Sequence, residues 1–330
     1  MSAPADRPVL VVTRHLPDAV EERAARDYRV IRLAEDRPIP AAELAALAAD
    51  NAARGILLTP TERMDRAAIE GLPACVEAIA TFSVGYDHID LAAAKARGLQ
   101  VFNTPDVVAE ATADIAMLVM LGAARRAYEG QRMLRTGGWS GWSPTFMLGT
   151  DLRGRRLGLV GFGRIGQATA RRAKAFGMTI HYHQRRRLDE AALGADLADA
   201  VYHDSLDDLV AVADVLSLHC PATPETIGMI NAERIARLPE GAILVNTARG
   251  PLVDDAAAIA ALTSGRLRAA GLDVFTGEPQ FDPRWAELDN AYLLPHMGTS
   301  TVETRAAMGF RALDNLDAYF AGATPRDRLA

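Results

Sequence analysis

The chain has 330 residues, 49% of them hydrophobic and 24% charged, with a formal net charge of −6. Length and composition fit about two globular domains, and no dominant basic run suggests a nucleic-acid or anionic-membrane surface. The two cysteines, Cys75 and Cys220, lack the spacing of a zinc site or a disulfide framework, so a reducing compartment and no metal are expected.

Val9-Leu10-Val11-Val12 is the first apolar run; it is strand-length, too short for a membrane span or a signal core, and a cytoplasmic protein is expected. Strands are predicted at Val9–Thr13, Arg29–Leu33, Gly55–Leu58, Ala78–Phe82 and Gln100–Phe102, with helices between them, among them Ala41–Ala49 and Asp90–Ala96. Such alternation points to a parallel α/β sheet. Thr104-Pro105-Asp106 then reads as a helix start, with a capping hydroxyl, a proline at the first helical position and an acid at the positive end. One long helix is expected from Val107 to about Tyr128.

A loop holding Trp139 and Trp142 follows, and a second α/β series begins. Its strands are predicted at Arg156–Val160, Thr179–His183, Val215–His219, Ala242–Asn246, Ala269–Val274 and Ala291–Leu294. The chain closes in a helix, with Ser300 and Glu303 as a capping box and Ala306, Phe310, Leu313, Leu316 and Phe320 along one face.

Within the second series, Leu157–Val160 runs straight into Gly161-Phe162-Gly163-Arg164-Ile165-Gly166, and a helical pattern follows. This strand–turn–helix setting is the one a dinucleotide fingerprint requires. Gly161 permits the tight turn, Gly163 the approach of a pyrophosphate, and Gly166 close helix–strand packing. The helix N-terminus offers free amides to the anion. At the end of the next strand, where an acid would hold the ribose of NAD, stands Gln184-Arg185-Arg186-Arg187. Guanidiniums there suit a 2′-phosphate, so NADPH is expected over NADH.

Three more strand ends carry polar residues: Asn246–Gly250 with Arg249, Gly271–Pro279 with Asp273 and Glu278, and Pro295–Gly298 with His296. Ligands of open parallel sheets lie beyond such carboxyl ends, so Arg249, Glu278 and His296 can converge there. With Ser83-Val84-Gly85-Tyr86-Asp87-His88-Ile89-Asp90 and His219-Cys220-Pro221, these motifs make the chain resemble the D-isomer-specific 2-hydroxyacid dehydrogenases, over nearly its whole length. Within that family it looks closest to the glyoxylate/hydroxypyruvate reductases.

The resemblance implies two Rossmann-like, doubly wound parallel-sheet domains with an interdomain cleft. A discontinuous, flavodoxin-like substrate domain would span 1–104 and 297–330, and an NADP-binding Rossmann domain 105–296. His296 would be the general acid in reduction, paired with Glu278, and Arg249 would bind the substrate carboxylate with the amides of Val84 and Gly85. Leu58 would line the substrate site, and Trp142 would narrow it from a partner subunit, since members are usually homodimers. Thr112, Gly161, Gly163, Arg164, Ile165, Gly166, Gln184, Arg185 and Arg186 map onto cofactor contacts. So do His219, Cys220, Pro221, Thr226, Thr247, Ala248, Arg249, Asp273, His296 and Gly298. A non-enzymatic dinucleotide sensor on the same scaffold is the alternative from another functional class.

Overall fold

The computed structural model describes residues 7–330. Twelve strands form two parallel sheets. The first holds β1 (Val9–Val12), β2 (Arg29–Ile31), β3 (Gly55–Leu58), β4 (Ala78–Thr81) and β5 (Gln100–Phe102). Its order, β2-β1-β3-β4-β5, is that of a flavodoxin-like doubly wound sheet. The second holds β6 (Arg156–Val160), β7 (Thr179–His183), β8 (Val201–Tyr202), β9 (Val215–Leu218), β10 (Ala242–Asn246), β11 (Leu267–Leu272) and β12 (Ala291–Leu293).

Counted from β6, the second sheet's order β8-β7-β6-β9-β10-β11-β12 is the dinucleotide-binding order with one further strand. The order reverses direction between β6 and β9, so the crevice beyond their carboxyl ends is a topological switch point. Residues β3, β4, β9 and β10 are buried throughout, as strands covered by helices on both faces must be.

The chain divides into two compact units, one formed by the residues up to Val108 with Ser300–Ala330, the other by Ala109–Thr299. In the first, the closing helix Val302–Phe320 buries Met308, Ala312, Leu313 and Leu316. Its buried stripe is thus shifted from the expected face, and Ala306, Phe310 and Phe320 are only half-buried. Its N-cap is Thr301, whose hydroxyl accepts from the Thr304 amide, and not Ser300. Among the described residues no helix is long and apolar enough to cross a membrane.

In the second unit, the helix expected from Val107 to Tyr128 is two helices, Ala109–Ala124 and Ala127–Arg135. Arg126 takes a left-handed backbone, φ 56°, and its guanidinium bonds Glu129 at 2.5–2.9 Å. The first of these helices lies close on the sheet because glycines make room. A Cβ on Gly122 would stand 2.7 Å from the Tyr292 ring, and one on Gly271 2.4 Å from the Val119 carbonyl oxygen. Strand β8, only two residues long, has no counterpart among the expected strands.

Candidate active site

Beyond β6 the glycine turn has three distinct constraints. Gly161 has φ +91°, and a Cβ there would lie 2.7 Å from the His219 carbonyl oxygen. A Cβ on Gly166 would lie 2.5 Å from the Gly161 carbonyl oxygen, so the helix can sit on its turn only without a side chain. Around Gly163 a Cβ would meet nothing within 4 Å. Gly163 caps the helix Arg164–Ala175 without any side-chain hydrogen bond. Two close approaches beside one open one is what a pyrophosphate cradle needs, so the residues fit a dinucleotide.

At the end of β7, Gln184 accepts from the Phe162 amide at 3.3 Å and donates to the Arg186 carbonyl at 2.6 Å. Arg185, Arg186 and Arg187 are exposed, and Arg187 lies 5.9 Å from the Tyr202 ring centre. Across the switch point, His219 donates its amide to Val160 at 2.8 Å, and its ring nitrogen Nε2 bonds the Ser217 hydroxyl at 2.9 Å. The residue is partly exposed overall, but Nδ1 is sealed without a partner. Burial holds the imidazole down, to about 4, and pushes the neighbouring Cys220 thiol up, to about 11. Both are neutral at physiological pH. The Thr226 hydroxyl closes its own loop, donating to Pro221 at 2.8 Å and accepting from the Thr223 amide at 2.7 Å.

The ends of β10, β11 and β12 carry the polar cluster. Buried Asn246 accepts from the Ala248 amide at 3.0 Å and donates to the Arg249 carbonyl at 2.8 Å, which fixes the curl holding Thr247, Ala248 and Arg249. Arg249 is half-buried and donates to the Ala248 carbonyl at 2.7 Å. Gly250 lets this curl touch the next loop: a Cβ there would fall 1.9 Å from the carbonyl carbon of Phe275. That loop turns Glu278 back so that one oxygen accepts the Phe275 amide at 2.6 Å and the other meets His296 Nδ1 at 2.6 Å.

His296 itself sits at φ 52°, a conformation uncommon for a non-glycine residue, which costs about 1–3 kcal/mol and occurs most where function demands it. Burial alone would raise the Glu278 carboxyl. The hydrogen bond and charge of His296, the Phe275 amide and the charge of Arg249 outweigh it and hold the group below its usual value. Asp273, buried, accepts the Met297 amide at 2.6 Å, and burial lifts its carboxyl above the usual range. A Cβ on Gly298 would lie 3.4 Å from the second Asp273 oxygen and 3.5 Å from the Thr112 hydroxyl, so these three meet at one spot.

The second unit therefore brings Glu278 and His296 into contact and sets Arg249 within electrostatic reach of Glu278. Arg164 is exposed on the first turn of its helix and Ile165 half-buried. In the first unit, Leu58 is fully buried and accepts the Phe82 amide at 2.7 Å. The Val84 carbonyl accepts from Asn103 at 2.8 Å and the Gly85 carbonyl from the Ser83 hydroxyl at 2.6 Å. Trp142 and Trp139 stand 78% and 54% exposed in the second unit. Sequence reasoning passed over Asn246, Asn103 and Gly250 as positioning residues; the signal was a polar side chain ending an apolar strand and a glycine just after Arg249.

Comparison with known proteins shows the family. Residues 117–298 match the model of the D-isomer specific 2-hydroxyacid dehydrogenase NAD-binding domain. Glycerate dehydrogenase of Hyphomicrobium methylovorum is 44% identical over 324 residues, 97% of this chain and 98% of the relative. Glyoxylate reductase of Pyrococcus furiosus is 40% identical over 325 residues, covering 97% and 94%. The crystal structure of an NADPH-dependent glyoxylate/hydroxypyruvate reductase from Sinorhizobium meliloti, in complex with NADP and malonate, superposes with a TM-score of 0.86 at 35% identity. It covers 98% of this chain and 97% of that one.

Proposed function

Because the chain belongs to the D-isomer-specific 2-hydroxyacid dehydrogenase family, we propose that it reduces a small 2-oxo acid, glyoxylate or hydroxypyruvate, to the D-2-hydroxy acid with NADPH. The observation that carries this is the contact of 2.6 Å between His296 Nδ1 and Glu278, beyond the carboxyl ends of the same parallel sheet as the glycine turn.

When bound, a reduced nicotinamide supplies hydride to the carbonyl carbon. The carbonyl oxygen then becomes an alkoxide and takes a proton. His296 holds that proton: Glu278 engages Nδ1, leaving Nε2 to serve the substrate oxygen. Arg249 grips the substrate carboxylate with its planar fork. Glycines 161, 163 and 166, with the amides of Arg164 and Ile165, hold the pyrophosphate. Arg185 and Arg186 take the 2′-phosphate, and Asp273, with Thr112 and Gly298, holds the carboxamide. The stretches His219–Pro221 with Thr226, and Thr247–Ala248, line the adenosine and ribose.

The exposed Leu134, Trp139, Trp142 and Leu148 support a homodimer in which a second copy covers this apolar segment and Trp142 borders the partner's substrate.

A panel of 2-oxo acids assayed with NADPH and with NADH tests the proposal. The expected outcome is highest kcat/KM for glyoxylate or hydroxypyruvate with NADPH. Equal or better efficiency with NADH refutes the cofactor assignment, and preference for a bulky 2-oxo acid refutes the substrate assignment.

A further inference from the structure

We propose that Gln184 is a positioning residue for cofactor choice: it clamps the Arg185–Arg186 loop onto the glycine turn and so presets a 2′-phosphate pocket. The inference rests on the NADPH reading above and assigns Gln184 a role that reading leaves open. An acid at this position would be expected to reach the ribose directly. The Gln184 side chain does something else. Both ends of its amide are engaged within the protein, its oxygen by the Phe162 amide at 3.3 Å and its nitrogen by the Arg186 carbonyl at 2.6 Å. One side chain thereby joins the turn that meets the pyrophosphate to the loop that carries the guanidiniums.

The surroundings brace the same loop from below. Phe162 and Tyr182 stack at 4.2 Å, Tyr182 and Tyr202 meet at 5.3 Å, and the Arg187 guanidinium lies 5.9 Å from the Tyr202 ring centre. The Tyr202 hydroxyl donates to the Gln184 carbonyl at 3.3 Å. Arg187 is thus an anchor at the far end of the loop, and Gln184 is the clamp at the near end. Between them Arg185 and Arg186 stay exposed and face solvent. A loop held at both ends loses less freedom when it closes on an anion than a free one does.

The donor end of the amide is the discriminating part. A carboxylate at 184 could still accept from Phe162, but it would meet the Arg186 carbonyl oxygen with no hydrogen to share. It would push the loop away and repel a 2′-phosphate as well. A methionine has nearly the same shape and neither bond.

The test is calorimetric binding of adenosine 2′,5′-bisphosphate and of AMP to wild type, Gln184→Met and Gln184→Glu, with melting curves to confirm folding. Wild type is expected to prefer the bisphosphate. Gln184→Met is expected to lose about tenfold in bisphosphate affinity, the scale of freeing one or two ordered side chains, while AMP affinity stays within about twofold. Gln184→Glu is expected to lose more than Gln184→Met for the bisphosphate. Unchanged bisphosphate affinity in Gln184→Met overturns the clamp, as does an equal loss for both nucleotides. A wild type that binds the two equally overturns the NADPH reading first and the clamp with it.

Discussion

His219 and His296 both stand just past strand ends, and their surroundings give them opposite tasks. The His296 side chain is 53% exposed with a carboxylate at 2.6 Å, so it is open to a ligand. The His219 ring has a serine hydroxyl at 2.9 Å and a sealed second nitrogen, and burial keeps it neutral. The unfolded chain would protonate His219 near pH 6.5, the folded one only at about 4. Its neutral burial is therefore harmless above pH 6.5, and the folded state loses stability as pH falls from there toward 4, by up to about 3 kcal/mol. His219→Gln is expected to flatten the fall in melting temperature between pH 7.5 and pH 4.5 (roughly spanning that window); an equally steep fall in the variant contradicts the assignment. Glu278→Gln removes the carboxylate that engages Nδ1 of His296, so steady-state kinetics should show kcat falling more than NADPH affinity. The histidine and the acid are conspicuous in the sequence as strand-end polar residues. That they touch was legible only through the family resemblance, because it depends on which strands become neighbours.

Between elements, close backbone contact also positions the loops. Gly250 presses the Arg249 curl against Phe275, whose amide in turn holds Glu278. Gly250→Ala must move one loop or the other. A displacement near 1 Å is enough to cost about a hundredfold in rate, so kcat/KM of Gly250→Ala should fall on that order. Gly71→Ala, where a Cβ meets nothing within 4 Å and φ is not left-handed, should retain wild-type kinetics. Wild-type rates in Gly250→Ala would show that this contact does not set the site. Most elements were readable from their alternation of apolar runs and amphipathic stretches. The break at Arg125–Arg126 was not, because no glycine or proline marks it and tertiary packing fixes the left-handed residue. Strand β8 escaped because two residues carry no periodicity, and the buried face of the closing helix shifted because Gly309, with a Cβ position 2.5 Å from Val20, lets the helix pack there.

For the whole molecule, the parallel pairing of the second sheet matters most: it puts the glycine turn, the Arg249 curl and the Glu278–His296 pair at the carboxyl ends of one set of strands. Fold class could be inferred from sequence because each strand–helix unit is local, whereas sheet order is a long-range property. The exposed tryptophans lead to a prediction at this scale. Light scattering should give twice the chain mass for the wild type, and Leu134→Glu with Trp142→Ser should shift it toward the monomer; a monomeric wild type would remove the partner's Trp142 from the substrate site. In the proposed reaction His296 supplies the proton. The direct measurement is glyoxylate-dependent NADPH oxidation by His296→Ala beside NADPH binding followed by fluorescence. The expected result is a loss of about 10²–10⁴ in kcat with cofactor affinity within about threefold of wild type. Turnover equal to wild type in a folded, NADPH-binding His296→Ala would contradict it.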